Sequence, residues 1–228
     1  MNSSLLPLLQ LCDSSFPSGA FSHSFGLETY IQDEQITDKG TFFQALSIYI
    51  NKQLVYTDGL ACRLAYEFQQ SGSFSKLMEL DQLLFVSSLA NETRTGNRRI
   101  GARMAKLCYE LYPSLNLKEY LTNINKKEAY GHSSIVFAMV CHHLRVDSDT
   151  CITAYLFAAV STLIQNGVRG IPLGQTDGQK LLVECQPILI SAVSSINSLT
   201  FEDFGAVSPG LEIAQMKHES LHVRLFMS

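Results

Sequence analysis

The chain has 228 residues, of which 46% are hydrophobic and 17% charged, and its formal net charge is −4. This apolar content suffices for one substantial core, and the negative balance disfavours nucleic acid as a partner. The apolar stretch from Leu5 to Leu11 is short, lacks a basic leader and contains Pro7 and Gln10, so it resembles neither a membrane span nor a signal peptide. We therefore expect a single cytoplasmic domain that binds neither nucleic acid nor a membrane.

Helical periodicity dominates the chain. Apolar residues recur every fourth position from Phe42 to Leu54 and continue on a rotated face to Phe68, which predicts one helix of about seven or eight turns. Three further helices are predicted from a Ser73 or Ser75 cap past Leu84, from Asn91 or Glu92 to Leu111, and from Ser133 to Leu144. The next runs from Cys151, behind acidic caps at residues 147–149, to a stop at Asn166 and Gly167. The last runs from Leu173 to Leu199 with a bend at Pro187.

No segment shows the two-residue alternation of a β-strand. The fold class is therefore predicted to be all-α, with residues 1–204 forming a single-domain bundle of roughly eight to ten helices. From Gly205 onward the pattern weakens, because Ser208, Pro209 and Gly210 break the chain. Residues 205–228 are predicted to form a C-terminal tail that orders when a partner covers it.

The pentapeptide His218-Glu219-Ser220-Leu221-His222 matches the H-E-x-x-H pattern of zinc metalloproteases. A catalytic zinc site needs a third protein ligand, and residues 223–228 contain no His, Asp, Glu or Cys. A polar turn in the tail is the favoured interpretation. A zinc-dependent metalloenzyme that uses His218 and His222 is the alternative.

The remaining metal and phosphate patterns are incomplete. The six cysteines include no C-x-x-C pair, and adjacent side chains in Cys141-His142-His143 point about 100° apart on a helix, so a packed Cys141 beside exposed histidines is expected. The glycine-containing stretches 96–103 and 174–180 lack the Lys-Ser/Thr pair of a Walker A loop, which argues against nucleotide hydrolysis. Five basic residues form one helical face that is either solvated or docks an acidic partner: Arg94, Arg98, Arg99, Arg103 and Lys106.

Three stretches of this sequence resemble, in order, three signatures of one known family. They run from Leu8 to Glu28, from Pro172 to Leu182 and from Met216 to Phe226, and the first contains Phe16-Pro17-Ser18-Gly19-Ala20-Phe21-Ser22-His23. The family is that of the urease accessory protein UreF. The order and spacing of the three stretches span nearly the whole chain.

The resemblance implies an all-α, usually dimeric chaperone that is not an enzyme and carries no cofactor of its own. Proteins of this family bind a UreD/UreH-type scaffold and recruit a nickel-carrying, UreG-type GTPase, and the assembly delivers Ni²⁺ to apo-urease. Nickel binding by the chain is then indirect. The resemblance also assigns the zincin-like pentapeptide to a tail that orders against the body and the scaffold.

The first and third stretches are predicted to meet. Gly19 can adopt a positive φ in a turn that projects Phe21 and His23 towards the tail. Arg224, with apolar neighbours, is predicted to anchor the tail on carbonyl groups or on a carboxylate such as Glu28. The alternative is that Phe21 and Glu28 serve only core packing and helix capping.

The second stretch is predicted to open a helix with a dense polar set, which suits the GTPase or ions in passage, although simple capping accounts for it equally. The full set of predicted partner-binding residues is Phe21, His23, Glu28, Gln175, Asp177, Gln179, Lys180, His218, Glu219, Arg224 and Phe226.

Overall fold

The computed structural model describes residues 4–205 and 208–228, and these residues form an all-α bundle without a β-strand, as predicted. Residues 1–3 of the predicted body and residues 206 and 207 of the predicted tail lie outside this range. The described helices are α1 Leu5–Cys12, α2 Leu27–Gln32, α3 with its two α-helical ends Lys39–Tyr49 and Leu60–Gln70, α4 Phe74–Ser87, α5 Asn91–Leu111, α6 Leu115–Lys126, α7 Ser133–His143, α8 Ser148–Gly170, α9 Gln175–Ser198 and α10 Pro209–His218.

Helix α3 is continuous, but its middle is π-helical over Ile50–Gly59. The sequence shows the apolar ladder changing face after Leu54, and the wider π turns are where this rotation occurs. Gly59 is the last residue of the π stretch, and only glycine fits there, because a Cβ would lie 2.6 Å from the Ile196 side chain. π-Helical turns are rare in proteins, and those that occur are often found at functional sites.

Helix α8 runs through the predicted stop at Asn166 and Gly167 and ends at Gly170, so that prediction is wrong. Both residues have a packing role instead. The ring of Phe42 lies against Gly167 so closely that any Cβ would collide with it, and the buried Asn166 side chain donates to the carbonyl of His23. Residue types that end helices locally are here required by long-range contacts.

Helix α7 lies at the centre of the bundle, where every residue from Ser134 to Cys141 is buried. It packs against the second half of α3, α5 and α8. Cys141 is buried and His143 exposed, as expected, while His142 lies edge-on to Tyr66. No group of three metal-ligating side chains occurs within residues 4–205 and 208–228.

Helices α8 and α9 are long and apolar enough to pass a length-and-hydropathy test for membrane spans. Both supply core residues, and they pack against each other and against the π-helical part of α3. Core helices of soluble bundles pass the same test, so it carries little weight here.

The phosphate-loop pattern at residues 96–103 lies inside α5, where Gly96 faces His23 and Gly101 faces Gly131. Its glycines therefore permit close packing.

Candidate partner-binding site

The last ten residues, Glu219–Ser228, are named here the C-terminal segment. The segment leaves α10 and returns along α2 to the loop at residues 21–26, where the amide of Met227 donates to the carbonyl of Ser22 (2.8 Å). Its side chains alternate near the end. Phe226 and Ser228 are buried, whereas Leu225 is 61% and Met227 55% exposed, and Val223 is 73% exposed.

Glu28 of α2 is the inward anchor of this segment. Its carboxylate is 3% exposed and accepts hydrogen bonds from the amides of Leu225 (2.6 Å) and Phe226 (3.1 Å). It also contacts Nε2 of His218 at 2.9 Å. A buried carboxylate must be hydrogen-bonded to be tolerated, and these three donors satisfy it.

His218 ends α10 and is fully buried between two carboxylates. Its Nε2 faces Glu28, and its Nδ1 lies 2.8 Å from Glu92 on the first turn of α5. Ionised carboxylates only accept hydrogen bonds, so each ring nitrogen faces a group to which it can donate. Arg224 donates to the other oxygen of Glu92 at 2.6 Å. We call Glu28, Glu92, His218 and Arg224 the carboxylate clamp.

Within the clamp, His218 and Arg224 affect the pKa of Glu92. Burial raises the pKa of this carboxyl group, but hydrogen bonds and positive charges from His218 and Arg224 outweigh burial and hold the pKa below its ordinary value. Glu219 adds a contact at the same corner, because its carboxylate accepts from the amides of Asn91 (3.1 Å) and Glu92 (3.4 Å) at the start of α5. The helix dipole favours a negative charge at this position.

The end of the segment lies in a nest of backbone donors. Gly19 has φ of +93°, as predicted, and Phe25 and Gly26 also adopt positive φ. The carbonyl oxygen of Ser228 accepts from the amides of Ser24 (2.6 Å) and Phe25 (3.0 Å). The hydroxyl of Ser228 lies 2.8 Å from Nδ1 of His23. Successive amides that converge on one oxygen form a typical acceptor-binding nest.

His23 stacks beside Phe25 and lies near several cations. Burial lowers the pKa of His23, and the positive charges of Arg99, His218 and Arg103 lower it further, against a weak opposing effect of Glu92. The predicted basic face on α5 therefore borders the C-terminal segment at Arg99 and Arg103. Arg94 instead lies over the Phe85 ring, 5.3 Å from its centroid.

Arg169, at the end of α8, joins the first and third predicted stretches. Its guanidinium lies 4.3 Å from the ring centroid of Phe21 and 5.0 Å from that of Phe226, and it donates to the carbonyl of Phe21. These are cation–π distances. Phe21 is nearly half exposed, so core packing does not account for it.

The second predicted group lies at the other end of the α8–α9 turn. Gln175, Gln179 and Lys180 are exposed on the first turns of α9, and Asp177 pairs with Lys180 at 3.6 Å. In the part of the chain that the structure describes, no hydrogen bond or ion pair joins this group to the C-terminal segment. The link is indirect, because Gly170 at the end of α8 lies beside Phe226.

The UreF family model matches residues 36–186 of this chain. The chain belongs to the UreF family. It is 63% identical over 224 residues to the urease accessory protein UreF of a Bacillus species, covering 98% of this chain and 99% of that protein. The UreF proteins of Lachnoclostridium phytofermentans (51% identical, all of both chains) and Geobacillus kaustophilus (55% identical, 98% of both chains) are similar along their length as well. UreF proteins are urease accessory proteins and not enzymes.

Membership of the UreF family leaves the zinc-metalloenzyme alternative without support, and the geometry gives the reason. Helix α10 ends at His218, so His222 lies beyond the helix and is exposed. The i, i+4 alignment that a zinc pair requires is therefore not formed. Both ring nitrogens of His218 already face carboxylates.

One predicted contact needs correction. Arg224 does contact a carboxylate, but among the described residues this is Glu92 and not Glu28, the example that was predicted. Glu28 instead accepts from the two amides and faces His218. Glu28 thus holds the segment rather than capping its own helix.

Sequence reasoning missed four residues of this site: Ser24, Glu92, Asn166 and Arg169. Glu92 was visible only as an acidic residue in a first helical turn, and Arg169 only as a basic residue near a helix end. Both positions are common for purely local reasons. Their partners lie far away in sequence.

Proposed function

We propose that this UreF-family chain is a cytoplasmic urease-maturation chaperone that bridges a UreD/UreH-type scaffold and the nickel-carrying, UreG-type GTPase during insertion of nickel into apo-urease. It acts by protein contact and has no cofactor. Family membership supports the role in urease maturation. The observation that carries the bridging role is the C-terminal segment, whose inner side is fixed by polar contacts while its outer side presents apolar side chains.

The outer side has the composition of a protein interface. Val223, Leu225 and Met227 are more than half exposed, and Phe21 lies next to them, because the amide of Met227 bonds to the carbonyl of Ser22. Contiguous exposed apolar side chains around an anchoring arginine are typical of surfaces that a partner covers. We assign this outer side to the scaffold.

We infer that binding of the scaffold and ordering of the C-terminal segment are coupled. Three of the segment's five large apolar side chains, those of Val223, Leu225 and Met227, remain more than half exposed when the segment docks on the body. Fixing each residue costs about 1–2 kcal/mol of conformational entropy, which the clamp and the nest offset only in part. A partner that covers the outer side supplies the missing burial, so order and binding reinforce each other.

The start of α9 is proposed to contact the GTPase. Gln175, Asp177, Gln179 and Lys180 are solvent-accessible on one helical end, and the turn before them begins beside Phe226. The proximity of the α8–α9 turn to Phe226 supports a bridging role, because the two proposed surfaces then lie near each other. The homodimer is proposed to use the exposed strip Val183, Pro187 and Ile190 on α9, whose spacing puts the three on one helical face.

Matched leucine variants test the scaffold assignment. We expect Leu225→Glu to weaken capture of a UreD/UreH-type scaffold by at least about tenfold, because it introduces a charge into the centre of the outer side. Leu115→Glu is the control, since Leu115 is an exposed leucine on α6, away from the segment. Binding is measured by titration with the purified scaffold, and circular dichroism verifies both folds. Equal affinity of the two variants would remove the scaffold from this surface.

A further inference from the structure

A partly open cavity of about 390 Å³ lies beneath the loop at residues 13–21, between α3, α5, α7, α8 and α10. This volume lies in the range of pockets that hold small molecules. The proposed docking surfaces do not use it. The π-helical part of α3 forms one of its walls, with Gln53, Thr57 and Asp58 among the lining residues.

One end of the cavity carries an incompletely used carboxylate. The side chain of Asp58 is 26% exposed because Asp58 faces the cavity, whereas the neighbouring Thr57 is buried. Its oxygens accept from the hydroxyls of Tyr155 (3.0 Å) and Thr57 (3.0 Å), and Nε2 of His132 lies 3.8 Å away. A carboxylate offers about four acceptor positions, so capacity remains.

Ser134 orients the ring of His132. Its Nδ1 accepts from the amide of Ser134 and lies 2.9 Å from that residue's hydroxyl, which assigns the ring proton to Nε2. No lysine or arginine forms an ion pair with Asp58 anywhere in residues 4–205 and 208–228.

The other end of the cavity also lacks donors. Thr93 and Gln215 line the cavity, and each has a buried side-chain oxygen without a hydrogen-bond partner among the described residues. Glu212 is buried beside them and accepts one long bond, from the amide of Leu89 at 3.4 Å. Burial raises the pKa of Glu212, and no cation pairs with it in the described chain to oppose this. Buried acceptors without donors are costly, and a ligand with N–H groups removes that cost.

The two ends are separated along α5. Gly101 packs on the backbone of His132, close to Asp58, whereas Thr93 precedes Gly101 by about eight residues and so by about 12 Å. The walls between them are apolar and include Leu84, Ile100 and Met104. A ligand that fills this space therefore has polar ends and an aliphatic middle.

Charge selects the kind of polar end. The charged side chains that line the cavity are Asp13, Asp58 and Glu212 against Arg103, which favours a dication. A bare metal ion does not fit, because no cluster of three ligating side chains is formed in the described residues. We propose that this cavity binds an aliphatic diamine or triamine, with one ammonium at Asp58, another at Glu212, Thr93 and Gln215, and the alkyl chain between Leu84, Ile100 and Met104.

Calorimetric titration of the full chain with spermidine and with putrescine at physiological ionic strength tests this proposal. We expect saturable binding of one polyamine per chain, weakened at least tenfold by Asp58→Asn and by Glu212→Gln. Glu119→Gln, which changes an exposed carboxylate on α6, is the matched control and should bind as the wild type does. Butane-1,4-diol, 1-butylamine and Mg²⁺ serve as ligands that lack both charges, one charge or the chain.

Three results would overturn the proposal. They are the absence of saturable binding to the wild type, equal losses in Glu119→Gln and Asp58→Asn, and binding of the diol or Mg²⁺ with the affinity of the polyamines. If Asp58→Asn does not fold, Thr93→Val decides, because it removes one unpaired acceptor without removing a charge. Scaffold capture by Leu225→Glu is a separate measurement, so failure of the cavity proposal leaves the bridging proposal untouched.

Discussion

The C-terminal segment and the start of α9 are both predicted partner surfaces, yet they are built in opposite ways. The segment is fixed by buried charges whose partners lie far away in sequence, as in the contacts of Glu28 with His218 and Leu225. The start of α9 is exposed, and the ion pair of Asp177 with Lys180 there is local. A mutation in a buried charge network changes both the free energy of unfolding and the affinity for a partner. A mutation in an exposed polar turn can change the affinity alone. Mutations should separate the two regions.

The largest effect is expected for Glu28→Gln. The carboxylate oxygens of Glu28 face three donors, the amides of Leu225 and Phe226 and the ring of His218. In glutamine one oxygen is replaced by an NH₂ donor, so at least one of these buried groups loses its acceptor. Breaking a buried pair on one side costs several kcal/mol, and we expect a loss of about 3 kcal/mol in the free energy of unfolding. Urea denaturation measures it, with Glu119→Gln as the exposed control. A loss below about 1 kcal/mol would show that the clamp is no more than a surface contact.

Arg224→Ala should affect binding more than stability. Its pair with Glu92 is partly exposed, so the free energy of unfolding should fall by less than about 1 kcal/mol. Affinity for the scaffold should fall by about 2 kcal/mol, as for a truncated interface arginine. Titration with the scaffold and urea denaturation give the two values, and Lys118→Ala on α6 is the control. Wild-type complex yield in Arg224→Ala would contradict the anchoring role.

The smallest structural effect is expected at α9. Asp177→Ala and Lys180→Ala each remove half of an exposed i, i+3 pair, so stability should change by no more than about 0.5 kcal/mol. Urease activation in cells should nevertheless fall if the GTPase binds here. Thermal unfolding and urease activity are measured on the same variants. Full activation by both would reduce this surface to a helix start with ordinary capping residues.

Local patterns in the sequence were sufficient for much of the fold. The four-residue apolar ladder predicted α3 and even its change of face, and Asp147 caps α8 as its residue type suggests, with its side chain accepting from the amide of Thr150. Helix α6 was not predicted, although Leu117, Tyr120 and Ile124 recur at helical spacing in its sequence. The false stop at Asn166 and Gly167 arose because their local preference was outweighed by contacts with Phe42 and His23.

The sequence by itself determined the helical class, the family and the identity of the segments that meet, since periodicity, capping and motif order are local properties of a chain. Only the tertiary structure decided which charges pair. Arg224 lies on Glu92, Glu28 holds the amides of Leu225 and Phe226, and Arg169 lies between two aromatic rings. Many residues of each type compete for such pairings along the sequence. The packing of α2, α5, α8 and α10 brings one set within reach, and the cost of burying an unpaired charge excludes the others.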